Sequence, residues 1–213
     1  MPISTSKYEL LILDYGGVYS FEYELTNFEK IMRKAFGKVP SAEDKVQVTA
    51  LSHRFAANEL TTNQYVASVA KLLNAPVPRT EDFEDATISV TSPPSEAMRQ
   101  LVTAVRDAGL KVSLLSNMYA FEVSKARPWG RYDGFDFVAF SAGAGTTKQD
   151  PLFFKETLDH FSIAADRALF VDDVLEYVEI AKSAGLHSLH ADHFRFRHAE
   201  ELVQAIHKEL FDA

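Results

Sequence analysis

The feature that most constrains this chain is a series of short apolar runs, several of them closing on a polar or acidic residue. They lie at Tyr8–Asp14, Val112–Ser116, Phe137–Phe140 and Ala168–Val171, with a weaker one at His187–His190. Runs this short, apolar on both alternating faces, suit strands buried inside a parallel sheet. Helical periodicity fills most of the gaps. Ser95 opens one pattern with Met98, Leu101, Val102 and Val105 on a single face, and Gly109 stands where a C-terminal cap belongs. A second runs from Pro151 through Phe154 and Leu158, and a third from Val174 to Ala184 before Gly185. Strands alternating with helices predict an α/β fold with a doubly wound, mainly parallel, Rossmann-like sheet.

One segment breaks the alternation. Residues 21–90 read as helical throughout, with Leu25, Phe28, Ile31, Met32 and Phe36 on one stripe ended by Gly37. Ser41 is placed to cap a second helix carrying Val46, Val48, Leu51 and Phe55. Thr61 with Gln64 has the form of a capping box ahead of Val66, Val69, Leu72 and Leu73. Pro76, Pro78 and Pro93–Pro94 punctuate the exit. The expected organisation is a catalytic core of residues 1–20 and 91–213 with a helical cap, 21–90, inserted into it. A chain of 213 residues has room for both.

Ligands of open parallel sheets sit beyond the carboxyl ends of the strands, so those ends carry the chemical question. The first run ends at Asp14, the second at Ser116–Asn117 and the fourth at Asp172–Asp173; Lys148 follows the third. Three carboxylates converging on one edge repel one another unless a hard cation lies between them, and Mg2+ shared with a substrate phosphate meets that need. Such a cation also neutralises a phosphate for attack by a carboxylate oxygen. Lys148 and Ser116 are suited to hold the remaining phosphate oxygens. These parts point to phosphoryl transfer.

The same residues carry a family resemblance. Asp14-Tyr15-Gly16-Gly17-Val18, Leu115-Ser116-Asn117, Lys148-Gln149-Asp150-Pro151 and Val171-Asp172-Asp173 resemble, in order, the four motifs of the haloacid dehalogenase (HAD) superfamily. The insertion falls where subclass I members carry a helical cap. The resemblance implies a Mg2+-dependent hydrolase of a small phosphorylated metabolite, with Asp14 as the nucleophile that becomes an aspartyl-phosphate. It implies metal ligation by Asp14, the Gly16 carbonyl, and Asp172 or Asp173, and phosphate contacts from Ser116, Asn117 and Lys148. Tyr15 and Tyr19, flanking the nucleophile loop, are candidates to line the pocket. The Asp-x-Gly-x-Val start and Ser-Asn motif are similar to a glucose-1-phosphate phosphatase branch, which favours a sugar phosphate.

Two departures from the family pattern stand out. Gly16 occupies the position where most such phosphatases have a second Asp as general acid, and Gln149 replaces the Pro that usually follows the lysine. Loss of a positioned acid costs about 10²–10⁴ in rate unless the leaving group departs unprotonated. Two alternatives follow: a 2-haloacid dehalogenase, which the acidic pair at 172–173 disfavours, and a non-catalytic protein binding a phosphorylated ligand or a partner. A mutase would need the same missing proton shuttle.

The remaining candidates are weaker. His187, His190 and His193 have zinc-like spacing, but a three-residue step along a strand alternates faces. His53, Arg54, Glu59 and Tyr65 are candidates to reach a substrate from the cap, or plain surface residues. The net charge of -8 disfavours nucleic acid as a partner. With no cysteine, no apolar leader at the start and no run of about 20 apolar residues, a soluble cytoplasmic protein away from membranes is expected. Oligomeric state is not legible.

Overall fold

The computed structural model describes residues 6–21 and 25–212. Strand β1 (Leu10–Leu13) is followed by helices α1 (Leu25–Phe36), α2 (Ala42–Ala56), α3 (Thr62–Leu72) and α4 (Thr80–Ile88). Helix α5 (Glu96–Asp107) then leads into β2 (Lys111–Ser116), α6 (Ala120–Ala126), β3 (Phe137–Phe140) and the single turn α7 (Ser141–Ala144). The chain closes with α8 (Leu152–Phe161), β4 (Ala168–Asp172), α9 (Leu175–Ser183), β5 (His187–His190) and α10 (Ala199–Phe211). All five strands pair in parallel in the order β3-β2-β1-β4-β5.

Each central strand divides its side chains between two cores, as the two-residue period of a strand requires. Leu11, Leu13, Val112, Leu114, Leu169 and Val171 face one side, with Met98, Leu101, Val105, Leu202 and Ile206 of α5 and α10. Leu10, Ile12, Leu115, Ala139, Ala168 and Phe170 face the other, with Phe153 and Phe154 of α8 and Tyr177 and Ala181 of α9. The result is the helix–sheet–helix sandwich expected from the sequence. The chain steps outward from β1 to β2 and β3, then returns to β4 on the opposite side of β1. That reversal opens a crevice beyond the carboxyl ends of β1 and β4.

Helices α1–α4 bury a cluster of their own: Met32, Phe36, Val48, Phe55, Tyr65, Val66, Val69, Ala70, Leu73 and Phe83. Ser41 Oγ accepts from the Asp44 amide at 3.1 Å, and Thr61 with Gln64 forms the reciprocal capping box. The cluster does not end at the insertion. Phe55 stacks between Tyr65 (4.6 Å between centroids) and Tyr119 (4.4 Å) at the start of α6, and Phe121 packs beside them. Lys125 of α6 adds ion pairs to Glu84 (3.0 Å) and Asp85 (3.1 Å) of α4. The Leu25 side chain, part of the expected α1 stripe, lies outside the described residues, as does the start of the chain through Thr5.

Three helices were not individually anticipated. Helix α4 is short and hides between prolines, and α6 follows a polar turn. Helix α10 shows Leu202, Ile206 and Leu210 at four-residue intervals, a signal the sequence did contain. Among the described residues no helix is long and apolar enough to cross a membrane.

Candidate active site

The crevice gathers the strand-end residues. Asp14 directly follows β1, and its amide donates to the Val171 carbonyl at 3.0 Å, which locks the end of β1 to that of β4. Asp172 closes β4 and is fully buried. Its Oδ1 accepts from the Val174 amide (2.8 Å), an Asx turn leading into α9; the N-cap residue itself is Val174, so neither Asp172 nor Asp173 caps the helix as the sequence suggested. Lys148 arrives from the loop after α7, and its amide is held by Asn117 Oδ1 at 3.0 Å. Lys148 Nζ lies 2.9 Å from Asp14 Oδ1 and 2.5 Å from Asp172 Oδ2, and 4.9 Å over the Tyr177 ring.

Only 1% of Lys148 is exposed. Burial alone would pull its pKa down, but the carboxylates of Asp14 and Asp172 outweigh that and raise it, so the ammonium stays charged. Asp172 is pushed up by burial and by the neighbouring Asp14 and Asp173, while Lys148 pulls it back. Oxygens of Asp14, Asp172 and Asp173 lie within 4.8 Å of one another. With all three ionised, as a bound cation would favour, the carboxylates outnumber the one ammonium by two charges, the complement of a divalent cation. The spacing is close to the ~4 Å between opposite ligands of Mg2+. Asp14 Oδ1, buried and without a hydrogen bond despite its ion contact, is a ready ligand. The donor set fits a hard cation.

Other expected residues fall at different distances from this cluster. Ser116 ends β2, buried, in register with Phe140 of β3. Asn117 bonds both the Lys148 backbone and the Tyr177 hydroxyl (3.3 Å). Gly16 pairs with Ser20 in an isolated bridge within the loop after β1. Tyr15 is buried, and its hydroxyl donates to the Ser92 carbonyl at 2.9 Å, tying the loop after Asp14 to the segment that follows α4. Tyr19 packs edge-on against Phe135. Of the insertion candidates, Tyr65 is core, and Arg54 pairs with Glu59 on the surface (3.0 Å). His53 alone of the four meets the sheet edge, with Nε2 3.2 Å from the Tyr177 hydroxyl.

The three C-terminal histidines do not form a zinc site. His187 packs edge-on against Tyr8, whereas His190 Nε2 bonds the Asp173 carbonyl (3.0 Å) and His193 Nε2 lies 4.0 Å from Asp173 Oδ2. One close approach in this cluster is not visible in the sequence. Gly17 has φ +67°, and a Cβ there would collide with the Asp173 carboxylate. Its neighbour Gly16 drew attention instead, because only spatial proximity exposes the contact with Asp173.

The sheet order, the inserted helices and the acidic edge together define a class: the chain has the fold of the HAD-family hydrolases. No family model matches the sequence. The structure resembles a HAD-family enzyme of Bacteroides thetaiotaomicron in complex with magnesium and inorganic phosphate (TM-score 0.68, 17% identity, covering 86% of this chain and 93% of that one). It also resembles the L-2-haloacid dehalogenase of Xanthobacter autotrophicus with chloropropionic acid covalently bound (TM-score 0.61, 16% identity, 86% and 77%). In sequence the chain is 27% identical over 144 residues to the mouse acyl-CoA dehydrogenase family member 10, and 31% identical over 98 residues to a sesquiterpene phosphatase of Aspergillus oryzae. Those matches take in 65% and 46% of this chain, which spans 13% and 50% of the two relatives' lengths.

Proposed function

We propose that this protein is a Mg2+-dependent phosphatase of small phosphorylated metabolites that works through an aspartyl-phosphate on Asp14. The observation that carries this reading is the cluster of Asp14, Asp172, Asp173 and Lys148, in which three carboxylates surround a single ammonium. A bound Mg2+, held by Asp14, Asp172, Asp173 and the Gly16 carbonyl, would offset the charge of the phosphate. Asp14 attacks phosphorus, the bond to the leaving oxygen breaks, and water then releases phosphate and restores the carboxylate. Lys148 fixes the orientation of the Asp14 carboxylate and, with Ser116 and Asn117, receives phosphate oxygens.

Residues 21–90 act as the cap in this reading, with His53 and Phe55 lying against the core and water excluded during the first step. A sugar phosphate is one substrate class, from the resemblance at Asp14–Val18. The phosphate of an apolar alcohol is another, supported by the Aspergillus relative. The dehalogenase reading rests on the same nucleophile, but dehalogenation needs no cation, whereas the acidic pair Asp172–Asp173 beside Asp14 forms a donor set for one.

The test is phosphate release from p-nitrophenyl phosphate, sugar 1-phosphates and isoprenyl monophosphates, with Mg2+ and with chelator, beside Asp14→Asn. Release that needs Mg2+ and disappears in the variant supports the reading. Halide release from a 2-haloacid without metal, and no phosphate release, would replace it with the dehalogenase.

A further inference from the structure

An alcohol expelled from phosphate leaves as an alkoxide and takes up a proton, and the water that later attacks must lose one. The side chains around Asp14 are engaged in other ways. Lys148 is ion-paired to two carboxylates, Asp172 bonds Lys148 and the Val174 amide, and position 16 has no side chain. The inserted segment 21–90 contains a single histidine, His53, and α2 lays it against this edge. Its Nε2 is 3.2 Å from the Tyr177 hydroxyl, whose oxygen also accepts from Asn117 Nδ2 at 3.3 Å. The Tyr177 ring in turn lies 4.9 Å from Lys148 Nζ. The chain of contacts His53–Tyr177–Lys148–Asp14 therefore joins the insertion to the nucleophile in three steps.

We infer that His53 is the proton-transfer residue of the reaction proposed above, an inference that rests on Asp14 being its nucleophile. In the first step an Asp14 oxygen bonds phosphorus, and the electron pair of the breaking P–O bond goes to the leaving oxygen. That oxygen takes the proton from the His53 imidazolium. In the second step water oxygen bonds phosphorus, its proton returns to His53, and the Asp14–phosphorus bond breaks. Ester and water become alcohol and phosphate, with His53 regenerated.

The surroundings suit a group that cycles between two states. Tyr177 accepts from Asn117, so its own hydrogen is available to Nε2, which describes a neutral resting imidazole. Burial lowers the His53 pKa, and Glu176 of α9 opposes it. Behind His53, Ser52 bonds Tyr65 of α3; on α2 itself, Arg54 is paired with Glu59; beyond the Tyr177 ring stands Lys148. A phosphate dianion entering between α2 and the sheet edge adds the negative charge that favours the imidazolium.

The experiment compares kcat/KM for a primary alkyl phosphate and for p-nitrophenyl phosphate, whose leaving group needs little protonation. Wild type, His53→Gln and His53→Ala are measured with Mg2+ across pH. Expected is a loss of about 10²–10⁴ on the alkyl ester and one smaller by at least about tenfold on the aryl ester. Added imidazole should restore alkyl turnover in His53→Ala, and one limb of the alkyl pH profile should vanish. Equal losses on both esters, the signature of a cap that merely docks through His53, would overturn the inference, as would no loss on either. Wild type that releases no phosphate from either ester would overturn the Asp14 reading as well; the other outcomes leave that reading standing.

Discussion

Lys148 Nζ sits 2.5 Å from Asp172 Oδ2 at the end of β4, with both side chains withdrawn from solvent. Removing one partner of a buried pair is far more damaging than the pair is stabilising, because the remaining charge has neither water nor counterion. Here the remainder would be two carboxylates, Asp14 and Asp172, side by side.

Lys148→Met should therefore lower stability by about 3–5 kcal/mol and abolish turnover. Added Mg2+ should recover part of the lost thermal stability, since a cation can replace the missing ammonium. Thermal melts of the variant with Mg2+ and with chelator check this. A variant as stable as wild type in chelator would contradict the burial of the pair.

Gly17 makes room for the Asp173 carboxylate while its backbone is left-handed, so Gly17→Ala meets both strain and a collision. The strain costs about 1–2 kcal/mol, and displacement of Asp173 should weaken Mg2+ binding by roughly 10–100-fold. Calorimetric titration of Mg2+ into the two proteins measures it; equal affinities would remove Asp173 from the ligand set.

Glu122 offers a pH signature away from the site. Its carboxyl accepts from the Tyr119 amide at 3.0 Å, and burial pushes its pKa from 4.5 up to about 7 while the Tyr119 amide and Arg131 pull the other way. Between about pH 4.5 and 7 the folded protein holds a proton that the unfolded chain has lost, so this group's contribution to stability falls as pH rises and levels off above that window. Glu122→Gln removes the ionisation. It should gain about 1–2 kcal/mol over wild type at pH 8, allowing for partial solvent access, and almost nothing near pH 4.5. Denaturant melts at both pH values decide it, and a gain independent of pH would contradict it.

Phe55 joins the insertion to the core, stacked between Tyr65 and Tyr119. Phe55→Ala should cost about 3–5 kcal/mol of stability and raise KM by loosening the seat of α2. Unchanged KM in a folded variant would separate cap seating from substrate binding.

What the sequence revealed and what it hid follow from the range of the interactions. The apolar runs at Leu10–Leu13 and Ala168–Val171 declare themselves locally, because a strand buried on both faces has no polar option. The meeting of Asp14 and Asp172 was legible because sheet topology brings strand ends together, whereas Lys148, in the loop after α7, stood out only in the company of those acids. The His53–Tyr177 bond links residues 124 positions apart and depends on how α2 settles on α9. Gly17 against Asp173 and Tyr15 against Ser92 likewise need the loops folded before the contact exists. Continuity of the insertion's core with Tyr119 and Phe121 was hidden for the same reason.

The most direct test of the central claim is capture of the phosphorylated nucleophile. Wild type turning over a phosphate ester with Mg2+ is quenched and reduced with borohydride, which converts an aspartyl-phosphate to homoserine. The peptide spanning Leu10–Val18 is then read by mass spectrometry. Homoserine at position 14, dependent on both substrate and Mg2+ and absent from Asp14→Asn, is the expected result; phosphate release with position 14 unmodified would contradict the mechanism.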